Sequence, residues 1–315
     1  MHFKEVFVFL NEARLAGKAS VLVTVCAVEG SSMRNPGSVM GVAEDGNFAG
    51  SLSGGCIENA VVSEAIDAMK VAAPRTVRFG AGSRYLDIKL PCGGGLDLHF
   101  QPLGSGGLAA DCLGSIKARS PFAIAISADG AKHVAQWQSA AFDPEHNTGV
   151  FGHWPAPKLQ IIGHGAGVNT LAKLAQTMDC AVSVLTPDQA IAASLTADET
   201  PVQVIKRTTQ TDLLESDPWT AFVFLFHDHD WEIDLIARAL DLPHFYLGAM
   251  GGRKAHAMRT EALRDKGVSA QRISSIRAPI GVFHSSRDPQ TLALSALAEV
   301  IRAYQDSDFE TDDGR

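Results

Sequence analysis

The sequence predicts an α/β protein of two domains, in which an N-terminal α/β domain precedes a doubly wound parallel sheet. Three observations support this prediction. The chain has 315 residues, which is about twice the commonest size of a single domain. Short apolar runs alternate with amphipathic helix patterns through the second half, as in sheets covered by helices on both faces. A glycine-rich turn at residues 163–167 separates the first of these strands from the first of these helices.

The N-terminal domain is predicted to span residues 1–142 and to contain short strands. Its first strand is a β-branched run at 21–28, and runs at 38–43 and 48–52 form a hairpin around Asp45-Gly46-Asn47. The apolar positions of residues 57–69 recur at helical spacing. Further strands are expected at residues 76–79, 96–100, 123–127 and 133–137. Residues 143–157 are rich in Pro, Gly and Asn, which predicts an interdomain linker.

The C-terminal domain is predicted to span residues 158–304 and to form a Rossmann-like sheet. Strands are expected at residues 159–162, 181–185, 202–205, 221–226 and 245–247. Helices are expected at residues 168–178, 230–240, 253–266 and 288–304. Because such alternation requires crossover connections, the strands should be parallel and the helices should cover both faces. The acidic, polar tail at 305–315 is predicted to be disordered.

The composition excludes several classes of protein. Hydrophobic residues make up 46% of the chain and charged residues 20%, which suits a folded globular protein. The net charge of −8 disfavours general binding to nucleic acid or to anionic membranes. No uncharged apolar run reaches the length of a membrane span. The five cysteines are widely spaced without a CxxC pair, so we expect free thiols and a cytoplasmic location.

The glycine turn of the C-terminal domain is a candidate site for an anion. Gly163, Gly165 and Gly167 permit a tight turn, and the helix that follows would direct its backbone amides at a phosphate. His164 lies inside this turn. The pattern differs from that of a dinucleotide site, because Val168 replaces the third glycine and no acid directly ends the second strand. A turn that serves packing alone is the alternative.

A second candidate site lies in the N-terminal domain. There Ser53, Gly54 and Gly55 lead to Cys56 at the start of a predicted helix. A thiol at a helix N-terminus is more readily deprotonated, and the thiolate attacks electrophiles and binds soft metals. The alternative is that Cys56 is a small buried hydrophobic residue.

Two arginines lie where a bound anion would explain them. Arg34, together with Ser32, belongs to the polar loop at residues 30–37, which suits either an anion or a simple turn. Arg253 opens a predicted helix, where a positive charge opposes the helix dipole unless an anion binds nearby. Its alternative role is a solvated surface charge.

A pair of histidines follows a predicted parallel strand at its carboxyl end. His227 and His229 would point to the same side of an extended chain, and such strand ends are where doubly wound sheets bind ligands. The pair alone supplies too few ligands for a metal site. The alternative for the neighbouring acids, Asp228 and Asp230, is to cap the next helix.

Together, these segments resemble the xanthine dehydrogenase accessory factor family, also called the XdhC/CoxI family. The resemblance rests on the SxSGGCxE segment at residues 51–58, the glycine turn, the His227–His229 segment, and the GAMGGR and RAPIG segments at 248–253 and 277–281. It implies an accessory protein that binds molybdenum cofactor and supports the exchange of an oxo ligand for sulfur. Such a protein then delivers the cofactor to a xanthine dehydrogenase-type molybdoenzyme.

The resemblance also implies roles for the candidate residues. The cofactor is anionic, with a terminal phosphate and a soft dithiolene-bound metal, so the glycine turn would hold the phosphate. Cys56 would be a molybdenum ligand or a sulfur carrier. A cysteine desulfurase is an implied partner, and we expect a homodimer. Two alternatives stay open: an NAD(P)-dependent oxidoreductase, and a structural partner of the molybdoenzyme with a vestigial site.

Overall fold

The computed structural model describes residues 3–30, 34–55, 57–83, 85, 93–283 and 286–310. Its contacts divide the chain into two compact units, Met1–Pro155 and Ala156–Arg315, and each is described by itself. Within these residues, no helix is both long enough and apolar enough to cross a lipid bilayer.

The first unit combines helices with two antiparallel sheets. Its helices are α1 (Phe3–Leu15), α2 (Glu58–Val71) and α3 (Leu108–Ala118). The larger sheet consists of β1 (Ser20–Glu29), β2 (Val39–Ala43), β3 (Phe48–Ala49), β4 (Arg75–Gly80) and β5 (Gly95–Leu103), in the spatial order β3-β2-β1-β5-β4. The smaller sheet consists of β6 (Phe122–Ser127), β7 (Gly130–Val134), β8 (Ala141–Asp143) and β9 (Thr148–His153), in the order β7-β6-β9-β8.

Strand β1 sends alternate side chains into two cores. Val21 and Val23 pack in a cluster with the apolar face of α2. Leu22 and Cys26 pack on the opposite face, in a cluster with α1, α3 and the smaller sheet. The predicted hairpin is confirmed, since β2 pairs with β3 around Gly46, whose φ is 80°. Both faces of the larger sheet are therefore covered within this unit.

The predicted linker at residues 143–157 is wrong, because residues 148–153 form an inner strand of the smaller sheet. This strand, β9, pairs with both β6 and β8. Phe151 is buried in the core beneath it. The glycines that suggested a linker serve close packing instead: a Cβ at Gly152 would lie 2.2 Å from the carbonyl oxygen of Gln138.

The second unit is built on a parallel sheet. Its strands are β10 (Lys158–Gly163), β11 (Ala181–Thr186), β12 (Val202–Val204), β13 (Thr220–Leu225) and β14 (Tyr246–Ala249), in the order β12-β11-β10-β13-β14. Its helices are α4 (Ala166–Thr177), α5 (Gln189–Ala197), α6 (Ile233–Asp241), α7 (Arg253–Asp265), α8 (Ala270–Ser274) and α9 (Pro289–Asp306). Each pair of neighbouring strands is parallel, so the predicted Rossmann-like doubly wound sheet is confirmed.

Strand β13, which lies between β10 and β14, is buried along its whole length. Val223 and Leu225 enter the core that contains α4 and α9. Phe222 and Phe224 enter the core on the other face, which contains α6 and α7. An uninterrupted apolar run is typical of a parallel strand covered on both faces. The chain order reverses beside β10, which places a topological switch point between β10 and β13.

Two parts of this unit differ from the prediction. The prediction lacks helices α5 and α8, because segments of nine and five residues are too short for a helical period to be recognised. The disorder predicted from residue 305 is wrong up to residue 310: α9 continues to Asp306, and the ring of Phe309 packs near those of Trp219, Phe245 and Tyr304. Residues 311–315 lie outside the described residues.

Candidate functional site

A cleft of about 340 Å³ opens in the second unit, at the carboxyl ends of β10, β13 and β14. This edge beside the switch point is where ligands bind in open α/β sheets. The cleft is lined by His164, Gly165, Ala166, Gly167, Leu225, His227, Met250, Ser286, Arg287, Asp288, Pro289 and Leu292. Four residues predicted as ligand-binding, His164, Gly165, Gly167 and His227, therefore border one cavity.

The three glycines of the turn have different physical roles. A Cβ at Gly163 would lie 2.4 Å from the carbonyl oxygen of Leu225, so this glycine lets β10 and β13 approach closely. Gly165 has a φ of 87°, a conformation that favours glycine. A Cβ at Gly167 would meet only Leu292 and Leu225, at ordinary contact distances. Gly163 does not line the cleft, and its role is packing.

The first turn of α4 is open to a ligand. Its N-cap, Gly165, offers no side chain, and no acidic residue occupies its first turn. The side chains of Asp188, Ser269 and Asp288 cap α5, α8 and α9, whereas α7, like α4, has neither a side-chain cap nor an acidic residue in its first turn. A helix N-terminus without such a cap presents amide donors and partial positive charge, which together attract an anion.

Imidazole and guanidinium groups border the same cleft. The rings of His164 and His227 have their centroids 5.7 Å apart. Arg287 lies just before α9, and within the described ranges no carboxylate forms an ion pair with it. Arg253, one of the two arginines predicted to contact an anion, is exposed at the start of α7 and does not line the cleft. The side chain of His229 lies outside the described residues.

The end of β11 does not support a dinucleotide. Thr186 is buried there and its hydroxyl accepts a hydrogen bond from the amide of Asp188 at 3.1 Å. Asp188, the nearest acid along the chain, caps α5 by accepting from the amides of Ala190 and Ile191. Neither Thr186 nor Asp188 lines the cleft. In a dinucleotide site an acid in this region would bind the adenosine ribose, so the cleft lacks that half of the site.

The candidate loop in the first unit is organised by a buried carboxylate. Glu58 is 6% exposed and accepts six hydrogen bonds from described residues. The donors are the hydroxyls of Ser51 and Ser53 and the amides of Leu52, Ser53, Gly55 and Ile57. Burial acts to raise the pKa of Glu58, but the hydrogen bonds from Ser53, Ser51 and the backbone outweigh it and lower the pKa to about 2. Glu58 therefore remains ionised at neutral pH.

These bonds occupy the polar groups that the sequence offered to a ligand. The amides of Ser53 and Gly55 donate to Glu58, and the amide of Gly54 donates to the hydroxyl of Ser51 at 3.0 Å. Arg34 Nε donates to the carbonyl oxygen of Ser51 at 2.8 Å. Ser32 and Cys56 lie outside the described residues.

The described cysteines are unsuited to nucleophilic chemistry. Cys26, Cys112 and Cys180 are free and buried. Burial raises the pKa of Cys26 and Cys112 to about 12 and that of Cys180 to about 11. Their thiols stay protonated at neutral pH, which makes them poor nucleophiles and metal ligands. Across the described ranges, no three His, Cys, Asp or Glu side chains gather into a metal site.

Comparisons with known proteins match both units. A family model described as the XdhC Rossmann domain matches residues 159–300, and one described as the XdhC and CoxI family matches residues 13–80. The molybdenum cofactor insertion chaperone PaoD of Escherichia coli (strain K12) is 33% identical over 304 residues, which cover 95% of this chain and 89% of PaoD. The uncharacterized protein YqeB of the same strain is 22% identical over 87% of this chain and 41% of its own length.

A solved structure has a similar fold. It is described as a xanthine dehydrogenase from Bacillus halodurans, with a TM-score of 0.77, 19% sequence identity and coverage of 98% of both chains. At this identity the similarity concerns the fold alone.

Proposed function

The chain belongs to the XdhC and CoxI family, and on that premise we propose that it is a molybdenum cofactor chaperone. In this role it binds the cofactor, supports its sulfuration and delivers it to a xanthine dehydrogenase-type molybdoenzyme. The similarity to PaoD along nearly the whole chain supports the general role in cofactor maturation.

The observation that carries the proposal is the open first turn of α4 in the cleft. The cargo is anionic and ends in a phosphate, and the residues present suit such a group. Amides at Ala166 and Gly167 have no side-chain cap, and Arg287 borders the same space. In this proposal the phosphate lies at the start of α4, where amides and the helix dipole favour negative charge. Arg287 supplies a charge-assisted hydrogen bond to it.

Cys56 is proposed to contact the molybdenum centre or to carry the sulfur. Both of its neighbours in the chain, Gly55 and Ile57, donate to the same carboxylate oxygen of Glu58, at 2.9 and 3.2 Å. The loop is thus held in place on either side of the cysteine. A thiolate is a suitable ligand for a soft metal. A cysteine desulfurase is the proposed source of the sulfur.

The alternative of an NAD(P)-dependent oxidoreductase has less support. The end of β11 lacks an acid free to bind a ribose, because Asp188 caps α5. Titration with NADH, followed by its fluorescence, separates the two functions. Saturable binding of NADH at micromolar concentrations would favour the oxidoreductase.

The test of the chaperone function is to purify the full chain from a host that makes molybdenum cofactor. Bound cofactor is oxidised to its fluorescent product and quantified per protein chain. We expect the parent protein and Cys180→Ser to carry the cofactor, because Cys180 is a buried core residue. We expect Cys56→Ser to carry much less, or to fail in activating the client enzyme. A parent protein with no more fluorescence than an unrelated protein from the same host would rule out the function.

Delivery also requires contact with the client enzyme, and we propose that the chaperone acts as a homodimer. Light scattering on the purified chain measures its oligomeric state, and the same measurement with the apo-molybdoenzyme measures the complex. A monomeric chaperone that nevertheless activates the client would remove the dimer from the proposal.

A further inference from the structure

One ion pair in the second unit is completely buried. Arg259 of α7 is 1% exposed, and Glu232, which immediately precedes α6, is 0% exposed. Arg259 Nε donates to Glu232 Oε1 at 2.8 Å, and Nη2 lies 2.7 Å from the same oxygen. Apolar side chains of similar volume often replace a buried ion pair with no loss of stability, because removing two charges from water is costly. Stability alone therefore gives a weak account of this pair.

Arg259 also bonds to a turn that borders the cleft. Its Nη2 donates to the carbonyl oxygen of Met250 at 2.7 Å. The amide of Met250 donates to the carbonyl oxygen of Phe224 at 2.8 Å. The backbone of Met250 is thus held by β13 at its amide and by α7 at its carbonyl. Met250 itself lines the cleft.

Glu232 connects the same guanidinium to the loop after β13. This loop starts near His227, which lines the cleft, and passes through the 3-10 turn His229–Trp231 to Glu232. The carbonyl oxygen of Glu232 accepts a hydrogen bond from the amide of Ile236 at 2.7 Å, which fixes its backbone to α6. One guanidinium therefore joins the two loops that border the cleft after β13 and β14.

We infer that Arg259 and Glu232 are positioning residues, which set the separation of the loops that carry His227 and Met250. Neither Arg259 nor Glu232 lines the cleft, so their effect on a ligand is indirect. The inference rests on the proposed function only in that the cleft binds an anion. Arginine suits this role because its planar fork can bond to a carboxylate and a carbonyl together, whereas lysine offers a single point of charge.

The decisive variant removes both charges at once, Arg259→Met with Glu232→Leu, in the full chain. Thermal unfolding shows whether the double variant folds. Calorimetric titration with inorganic pyrophosphate measures the affinity of the cleft for an anion. Imidazole NMR signals report the local geometry, with the half-buried His244, which does not line the cleft, as the internal control. We expect a melting temperature close to that of the parent and an affinity at least tenfold weaker. The His227 signal should shift while the His244 signal does not.

A folded double variant with the affinity and the His227 signal of the parent would overturn the inference. If the parent itself does not bind pyrophosphate, the proposed function fails at this cleft, and the His227 signal alone decides the positioning role. If the double variant does not fold, Arg259→Lys decides instead, since lysine keeps the charge and loses the fork. For that variant we expect the same shift and loss of affinity, and parent-like behaviour would overturn the inference.

Discussion

Two strand-to-helix segments of this protein gather backbone amides, and they differ in what those amides bind. In residues 51–58 the amides donate to Glu58, a carboxylate supplied by the chain itself. In residues 163–168 the first turn of α4 has no side-chain cap and no acidic residue. The first segment is internally satisfied, and the second leaves its donors open to an external anion.

This difference shows that glycines before a helix do not by themselves indicate a ligand. The relevant question is whether an acid of the chain already occupies the donors. In the first unit it does: Glu58 accepts hydrogen bonds from the amides of Ser53, Gly55 and Ile57, so these donors are not open to a ligand. In the second unit it does not, and the open turn borders a cleft with Arg287.

Removal of the internal carboxylate should have the largest effect. In Glu58→Ala, six hydrogen bonds lose their acceptor, and several of the donors lie in the protein interior. We expect a loss of more than about 3 kcal/mol in the free energy of unfolding, measured by urea denaturation. Asp67→Asn is the control on the same helix, since Asp67 is exposed and pairs with the exposed Lys70. A parent-like Glu58→Ala would show that the loop does not depend on the carboxylate.

Acid should disrupt the first segment while the carboxylate is still present. The pKa of Glu58 falls from its ordinary value of 4.5 to about 2 on folding. A depressed pKa stabilises the fold above the unfolded value, and that stability is lost as the pH falls through the folded value. We expect a loss on the order of 3 kcal/mol between pH 4.5 and pH 2, where Glu58→Gln should show a smaller dependence. Urea denaturation across this pH range measures how the free energy of unfolding depends on pH in the parent and in Glu58→Gln. The same dependence in both proteins would contradict the prediction.

Substitution within the open turn tests which of its glycines serves packing. Gly163→Ala places a Cβ 2.4 Å from the carbonyl oxygen of Leu225, so β10 and β13 must move apart. We expect a destabilisation of about 1–3 kcal/mol in the same assay. Gly167→Ala is the control, because its Cβ has ordinary contacts and alanine favours the helix. If both variants unfold alike, the close approach to Leu225 is not what requires glycine.

The smallest expected effect concerns the cation of the open turn. Arg287 and Arg253 are both exposed and both lie at the start of a helix, but only Arg287 borders the cleft. We expect Arg287→Gln to weaken pyrophosphate binding about tenfold, as for the loss of one charge-assisted hydrogen bond. Arg253→Gln should leave the affinity unchanged. Calorimetric titration of the parent, Arg287→Gln and Arg253→Gln measures the three affinities for pyrophosphate. An equal loss of affinity in both variants would indicate a general effect of net charge.

Local patterns in the sequence were sufficient to predict the parallel sheet and four of the residues that line the cleft. The apolar run of β13 and the glycines after β10 identify a strand end at a helix start, because period and turn chemistry act over a few residues. The same local reasoning misread residues 148–153. Glycines that fit close contacts between strands look like the glycines of a linker when the neighbouring strand is unknown.

The sequence by itself determined the fold class of the second unit, the position of the open turn and the family. Only the tertiary structure decided which cation belongs to the cleft, because Arg287 is 122 positions beyond Gly165 and reaches it through the packing of α9 on α4. The tertiary structure also decided that Glu58 accepts the hydrogen bonds of the loop in the first unit, and that Arg259 and Glu232 form a buried ion pair. Charges and donors act through space, and their partners are set by how the elements pack rather than by their separation along the chain.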